Sequence, residues 1–117
     1  MSFSEVLRGI SNEVRGIRGA VIVGMDGIIV DEYSPGGEDL QSLGAEYGNI
    51  LKNIQQVSES LQMGVTSELS VRTETSDIIL RKINEEYFLA LILSPGGGFG
   101  MGRYKARVAA GRLEKEF

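Results

Sequence analysis

The run Gly97-Gly98-Phe99-Gly100-Met101-Gly102-Arg103-Tyr104 comes nearest to a chemical motif in this chain. A phosphate-binding loop sets glycines between a strand and a helix so that backbone N–H groups cradle an anion, and Gly97 and Gly102 have the right separation. The run departs from that motif where the chemistry is done. Arg103 stands where a lysine would reach the phosphates, and Tyr104 where a serine or threonine would bind magnesium. The expectation is a flexible turn with crowded helix packing. Three adjacent carboxylate pairs, Asp31-Glu32, Glu38-Asp39 and Glu85-Glu86, invite an acid–base reading. The first lies on a strand, where neighbours point to opposite faces and cannot converge on one atom. The other two fall in loop or turn, where carboxylates are solvated.

Histidine and cysteine are absent, which removes the commonest general base, the commonest metal ligand and thiolate chemistry together. Serines are plentiful, but no Ser-x-x-Lys pattern supplies a lysine base. The expectation is no catalytic residue, no cofactor and no metal. Arg103, Lys105, Arg107, Arg112 and Lys115 form a basic outer face on the last helix. Such a face is either solvated or a patch for an acidic partner or lipid headgroups.

The elements that would position these groups follow from periodicity. Phe3, Val6, Leu7, Ile10, Val14 and Ile17 make the stripe of a first helix capped by Ser2 or Ser4 and ended by Gly16 and Gly19. Ala20–Val23 is apolar on both faces, as a covered strand should be. Asp26-Gly27 then predicts a type I′ hairpin into a strand from Ile28 to Tyr33. Leu40, Leu43, Tyr47, Ile50, Leu51, Ile54, Val57 and Leu61 recur at spacings of three and four, predicting a long helix over about 39–63 with this stripe docked on a sheet. Gly44 and Gly48 lie on its flank, so another backbone comes close there, either the chain's own sheet or a second copy of the helix. From Thr66 to Thr75, Leu69, Val71 and Thr73 alternate with Glu68, Ser70, Arg72 and Glu74, a strand with one buried and one wet face. At a sheet edge it would be unprotected. Ile78–Ile83, a turn at Asn84-Glu85-Glu86 and the wholly apolar Tyr87–Leu93 give two more strands, the last at the sheet centre. Met101, Tyr104, Val108, Ala109 and Leu113 are the predicted inner stripe of the last helix. The order α-β-β-α-β-β-β-α makes an α/β sandwich (α+β), a five-stranded, mostly antiparallel sheet between helices.

With 117 residues and 42% apolar content the chain is one packed domain. A net charge of −4 argues against nucleic acid. No apolar run reaches the roughly 18 residues of a membrane span, and no leader pattern is visible at the N-terminus, so the expectation is no membrane insertion and a cytoplasmic location.

The element order, the Asp26-Gly27 hairpin after Ala20–Met25, the helix opening at Asp39-Leu40 and the loop into Gly100-Met101-Gly102-Arg103 together resemble the roadblock / dynein light chain family, over the whole chain and in its single-domain, MglB-like prokaryotic form. Asn84-Glu85-Glu86 departs from the aspartate-glycine turn of many relatives. The resemblance implies a roadblock/profilin-like fold and a homodimer, or a heterodimer with a paralogue, in which edge strands pair and the long helices lie side by side. It also implies a small Ras-like GTPase as partner, with the dimer acting as a GTPase-activating or GTPase-binding platform. The expected dimer interface is Gly44, Gly48, Glu68, Leu69, Ser70, Val71, Arg72 and Thr73. The expected partner-facing residues are Glu46, Asn49, Asn53 and Gln56. The alternative is a structural adaptor that dimerises without affecting GTP hydrolysis.

Overall fold

Ser2 opens the first helix. Its Oγ accepts a hydrogen bond from Glu5 N at 3.1 Å and its hydroxyl donates to the Glu5 carboxylate at 3.0 Å, a reciprocal cap of the first turn. From this start the computed structural model describes residues 2–117 as α1 (Phe3–Glu13), β1 (Ile17–Gly24), β2 (Ile29–Tyr33), α2 (Leu40–Ser60), β3 (Glu68–Arg72), β4 (Asp77–Lys82), β5 (Tyr87–Leu93) and α3 (Phe99–Glu114). The five strands form one sheet in the order β2-β1-β5-β4-β3, and every ladder is antiparallel. The apolar run Phe88–Leu93 occupies the middle, as its lack of a wet face requires. One face of the sheet packs on α1 and α3 through Leu7, Ile10, Ile22, Leu89, Leu91 and Leu113. The other packs on α2 through Val21, Val23, Leu51, Leu80 and Phe88.

Several local expectations are corrected. The first helix ends at Glu13, because the chain must reverse before Gly16, whose φ is +87°. Gly19 does not end it. Gly19 lies inside β1, where a Cβ would meet Leu40 and Ile92 at 3.0–3.3 Å. The hairpin at Asp26-Gly27 is real but is not type I′: only Gly27 has positive φ. Gly27 N donates to Gly24 O, Gly24 N to Ile28 O, and Asp26 Oδ1 accepts from Ile28 N at 3.0 Å. A turn closed by one left-handed glycine gives the strands their twist with a single special residue. β3 is shorter than its alternation suggests. Thr73 leaves the strand because its N–H donates to Ser76 O and its hydroxyl accepts from Ser76 N, which closes a turn.

In α3 the inner line is Gly102, Ala106, Ala109, Ala110 and Leu113, while Met101, Tyr104 and Val108 point outward. Small residues win the inner positions because the helix lies close to the sheet. A Cβ on Gly102 would come within 3.0 Å of Ile79.

The glycine-rich loop before α3 is spent on crossing the α1–β1 connection. A Cβ at Gly97 would meet Arg15 O at 2.7 Å and Ser94 O at 3.0 Å. Gly98 N donates to Arg15 O at 2.7 Å and Gly97 N to Ser94 O at 3.1 Å. The Gly97 and Gly98 amides are thus already bonded inside the fold, as is Phe99 N to Gly97 O, and this part of the motif reads as a packed crossing.

Candidate protein-interaction site

The long helix has two apolar directions, and the sheet uses one of them. Leu40, Gly44, Gly48 and Leu51 are its buried residues. Against them stand Val23, whose methyl carbons would lie 3.0 and 3.1 Å from a Cβ on Gly44, and Phe88, whose ring would lie 3.4 Å from a Cβ on Gly48. Of the two expectations for Gly44 and Gly48, the chain's own sheet is the one this packing fits. Their missing side chains let α2 settle on its own sheet.

About 100° round the helix runs a second line, Leu43, Tyr47, Ile50, Ile54 and Val57, continuing into Leu61. Leu43 and Tyr47 still touch the core. Beyond them the line leaves the protein: Ile50 is 42% exposed, Val57 54% and Leu61 64%, and Met63 and Val65 of the following loop are 72% and 65% exposed. Scattered surface apolar residues are ordinary, but Ile50, Val57 and Leu61 in one line with Met63 and Val65 just after it make a patch that monomeric domains seldom leave open.

This flank faces the open end of the sheet. Gly27 of the β1–β2 turn lies beside Ala45, so β2 is on one side of α2 and the flank is on the other. There β3 is the last strand, and among the described residues it pairs only with β4. Its row of outward N–H and C=O groups is free, and no proline, glycine or lysine protects it. Leu69 and Val71 lie half-buried on the α2 side of the sheet. Glu68, Ser70 and Arg72 lie on the α3 side, which is drier than the alternation predicts. Arg103 donates to Glu68 Oε2 from Nε at 2.9 Å and from Nη2 at 2.6 Å, covering that face.

Glu46, Asn49, Asn53 and Gln56 share the face of α2 opposite the sheet, and all four are exposed. Their face adjoins the apolar flank through Ile50 and Val57. Asp39 caps the helix by accepting from Ser42 N at 3.0 Å. Ser42, through its backbone N–H and then its side chain, holds the Asp39 carboxyl below its ordinary pKa. The sign follows from linkage: this cap stabilises α2 above the ordinary aspartate pKa, and the stabilisation fades as pH falls through the lowered value.

Asp77 is a site residue that the spacing did not reveal. It heads β4 almost wholly buried, and Arg72 holds it with Nε and Nη2 at 3.3 and 3.2 Å. The Arg72 guanidinium also lies 4.4 Å from the centre of the Phe99 ring. This pair pins the end of the edge strand. Arg72→Ala leaves a buried carboxylate alone and is expected to cost about 2–3 kcal/mol. That is less than a fully buried pair loses, since Arg72 is 60% exposed and water can replace part of it. Urea unfolding measures the loss, and an unchanged midpoint contradicts it.

Among the described residues no group of three or more acidic side chains is placed to hold a metal ion, and no helix is long and apolar enough to cross a membrane. The Roadblock/LC7 domain model matches residues 5–93. An uncharacterised protein of Methanocaldococcus jannaschii, MJ0310, is 22% identical over 106 residues, 91% of this chain and 92% of that protein. Among solved structures, MglC from Myxococcus xanthus is 36% identical with both chains covered in full, at a TM-score of 0.72. The gliding protein MglB of Thermus thermophilus is 18% identical over 96% of this chain and 85% of its own, at a TM-score of 0.86, a likeness of fold alone.

Proposed function

The chain belongs to the Roadblock/LC7 domain family, and from that premise we propose that it is a non-enzymatic, dimeric platform that regulates a small Ras-like GTPase. The observation that carries this reading is the apolar flank of α2 set beside an unpaired β3. A second copy related by a two-fold axis would satisfy both at once. Its β3 would supply the missing ladder along Glu68–Arg72, and its α2 would cover Ile50, Val57 and Leu61. Leu69 and Val71 would then be buried from the α2 side, with Thr73 at the end of the seam.

Two helices placed so would bring their polar faces into one table. Glu46, Asn49, Asn53 and Gln56 of each copy would flank the seam, and these are the residues assigned to the GTPase. The GTPase partner itself comes from the family resemblance in the sequence, and the MglB-like form of the family implies that the partner's own catalytic groups are repositioned. The spent glycine-rich loop and the lack of histidine and cysteine fit a protein that acts by binding.

The test uses the small GTPase that co-purifies with this protein from native lysate. GTP hydrolysis is expected to rise roughly tenfold or more on addition of the dimer, with preferential binding of the GTP-loaded form. Replacing both Asn53 and Gln56 by alanine is expected to weaken that binding about tenfold, at roughly 0.5–1 kcal/mol per side chain. An unchanged hydrolysis rate, with binding blind to the nucleotide, would overturn regulation and leave the adaptor.

A further inference from the structure

The last part of this acidic chain carries a local excess of positive charge. After residue 86 there are five cations, Arg103, Lys105, Arg107, Arg112 and Lys115, and two carboxylates, Glu114 and Glu116, in a chain whose net charge is −4. Part of that charge borders a groove of about 430 Å³ between the outer side of α3 and the edge formed by β3 and β4. It lies on the opposite face of the sheet from α2, away from the surface assigned to the GTPase.

The groove is built around one carboxylate. Glu68 stands in its wall, mostly covered, with Arg103 bonded to Oε2 and Arg81 Nη1 at 3.7 Å from Oε1. This fixes the plane of the Arg103 guanidinium, keeps the Arg81 charge close by and leaves Arg103 half exposed, with donors to spare. Arg107 brings a third guanidinium, laid 5.5 Å from the centre of the Tyr104 ring and without a carboxylate partner among the described residues. Gly100 keeps the mouth open, since a Cβ there would meet nothing within 4 Å.

We propose that this groove binds a carboxylate-bearing segment of a partner protein. Three guanidinium groups against one carboxylate leave an excess charge of two, and a planar guanidinium fork matches carboxylate oxygens two at a time. A phosphate brings a second negative charge up to Glu68, where a carboxylate brings one. Met101, Tyr104 and Val108, exposed at intervals of three and four along α3, run beside the cations and offer an apolar strip that a free anion cannot use. Glu68 and Arg81 sit recessed between helix and strand, within reach of a side chain and out of reach of a flat bilayer. The partner is therefore an acidic stretch with apolar residues among its carboxylates. The inference is independent of the GTPase reading.

The test is fluorescence anisotropy with a fluorescein-labelled peptide of alternating glutamate and leucine, and its lysine-for-glutamate counterpart as control. The acidic peptide is expected to bind saturably and the basic one not at all, with affinity falling as salt rises. Arg107→Glu, which strands no carboxylate and gives up only the contact with the exposed Tyr104 ring, is expected to weaken binding about tenfold or more. Gly100→Glu is expected to do the same by placing a competing carboxylate at the groove mouth, in open space and at a helix start that favours it. Both variants should melt with the wild type, which separates loss of the site from loss of the fold. Equal binding by the variants, no binding of the acidic peptide, displacement by inorganic phosphate at equimolar anion, or binding confined to phosphatidylserine-containing vesicles would each overturn the proposal.

Discussion

Aspartate at both Val57 and Leu61 is expected to turn the proposed dimer into a 12.7 kDa monomer that keeps its folded circular dichroism spectrum and melts lower only by what association had added. Both side chains are more than half exposed in the single chain, so the substitutions remove little from its core. In the dimer each change counts twice because the interface is two-fold. Losing an apolar contact and placing a charge in the seam costs roughly 1–2 kcal/mol per site even at a partly wet interface, about 4–8 kcal/mol over four sites. That weakens association at least about a thousandfold. Light scattering at micromolar concentration reads the mass, and circular dichroism reads the fold. A dimer of unchanged mass would place the interface elsewhere, with β2 as the other open edge.

The architecture was legible because its signals are redundant. Period-two and period-3.6 patterns, the turns at Asp26-Gly27 and Asn84–Glu86, and the wholly apolar Phe88–Leu93 agree on eight elements and on which strand is central. The direction each helix faces was not legible to the same degree. In α2 the apolar arc is wider than one interface needs, and counting it as one stripe put Ile50, Val57 and Leu61 in the core, where they are not. The signal that resolves this was present in Gly44 and Gly48. Two glycines one turn apart, in line with Leu40 and Leu51, mark the line of closest approach, and what they approach is a sheet crowded with Val23 and Phe88. In α3 the same logic holds for Ala109 and Leu113 and fails for Met101, Tyr104 and Val108, since the rest of the inner line is glycine and alanine, which a search for large apolar residues passes over. The edge position of β3 depends on strand order, which alternation cannot supply. The Arg72–Asp77 pair depends on strand register, which places Arg72 opposite Asp77 in the ladder.

Gly48→Asp is expected to unfold the protein, and this outcome distinguishes the two roles a helical glycine can have. Were Gly48 at a helix–helix seam, a carboxylate there would only dissociate two intact domains. In this fold the position is buried, and the new side chain would start 3.4 Å from the Phe88 ring, with Lys52 one turn on but exposed on the outer side of the helix. A charge buried against an aromatic face costs roughly 3–5 kcal/mol, and prying the helix off Phe88 to let it reach water or Lys52 gives up packing instead. Against a total stability of about 5–15 kcal/mol for a domain, most of the margin is gone. Gly48→Ala is the control. Its methyl group meets the ring at ordinary contact distance, and alanine favours the helix by about 1 kcal/mol over glycine, so stability is expected to hold or rise slightly. Urea unfolding of the three proteins reads the order alanine at or above glycine, with aspartate far below. A Gly48→Asp protein that melts like the wild type but runs as a monomer would return this glycine to the interface between copies and take α2 off the sheet line described above.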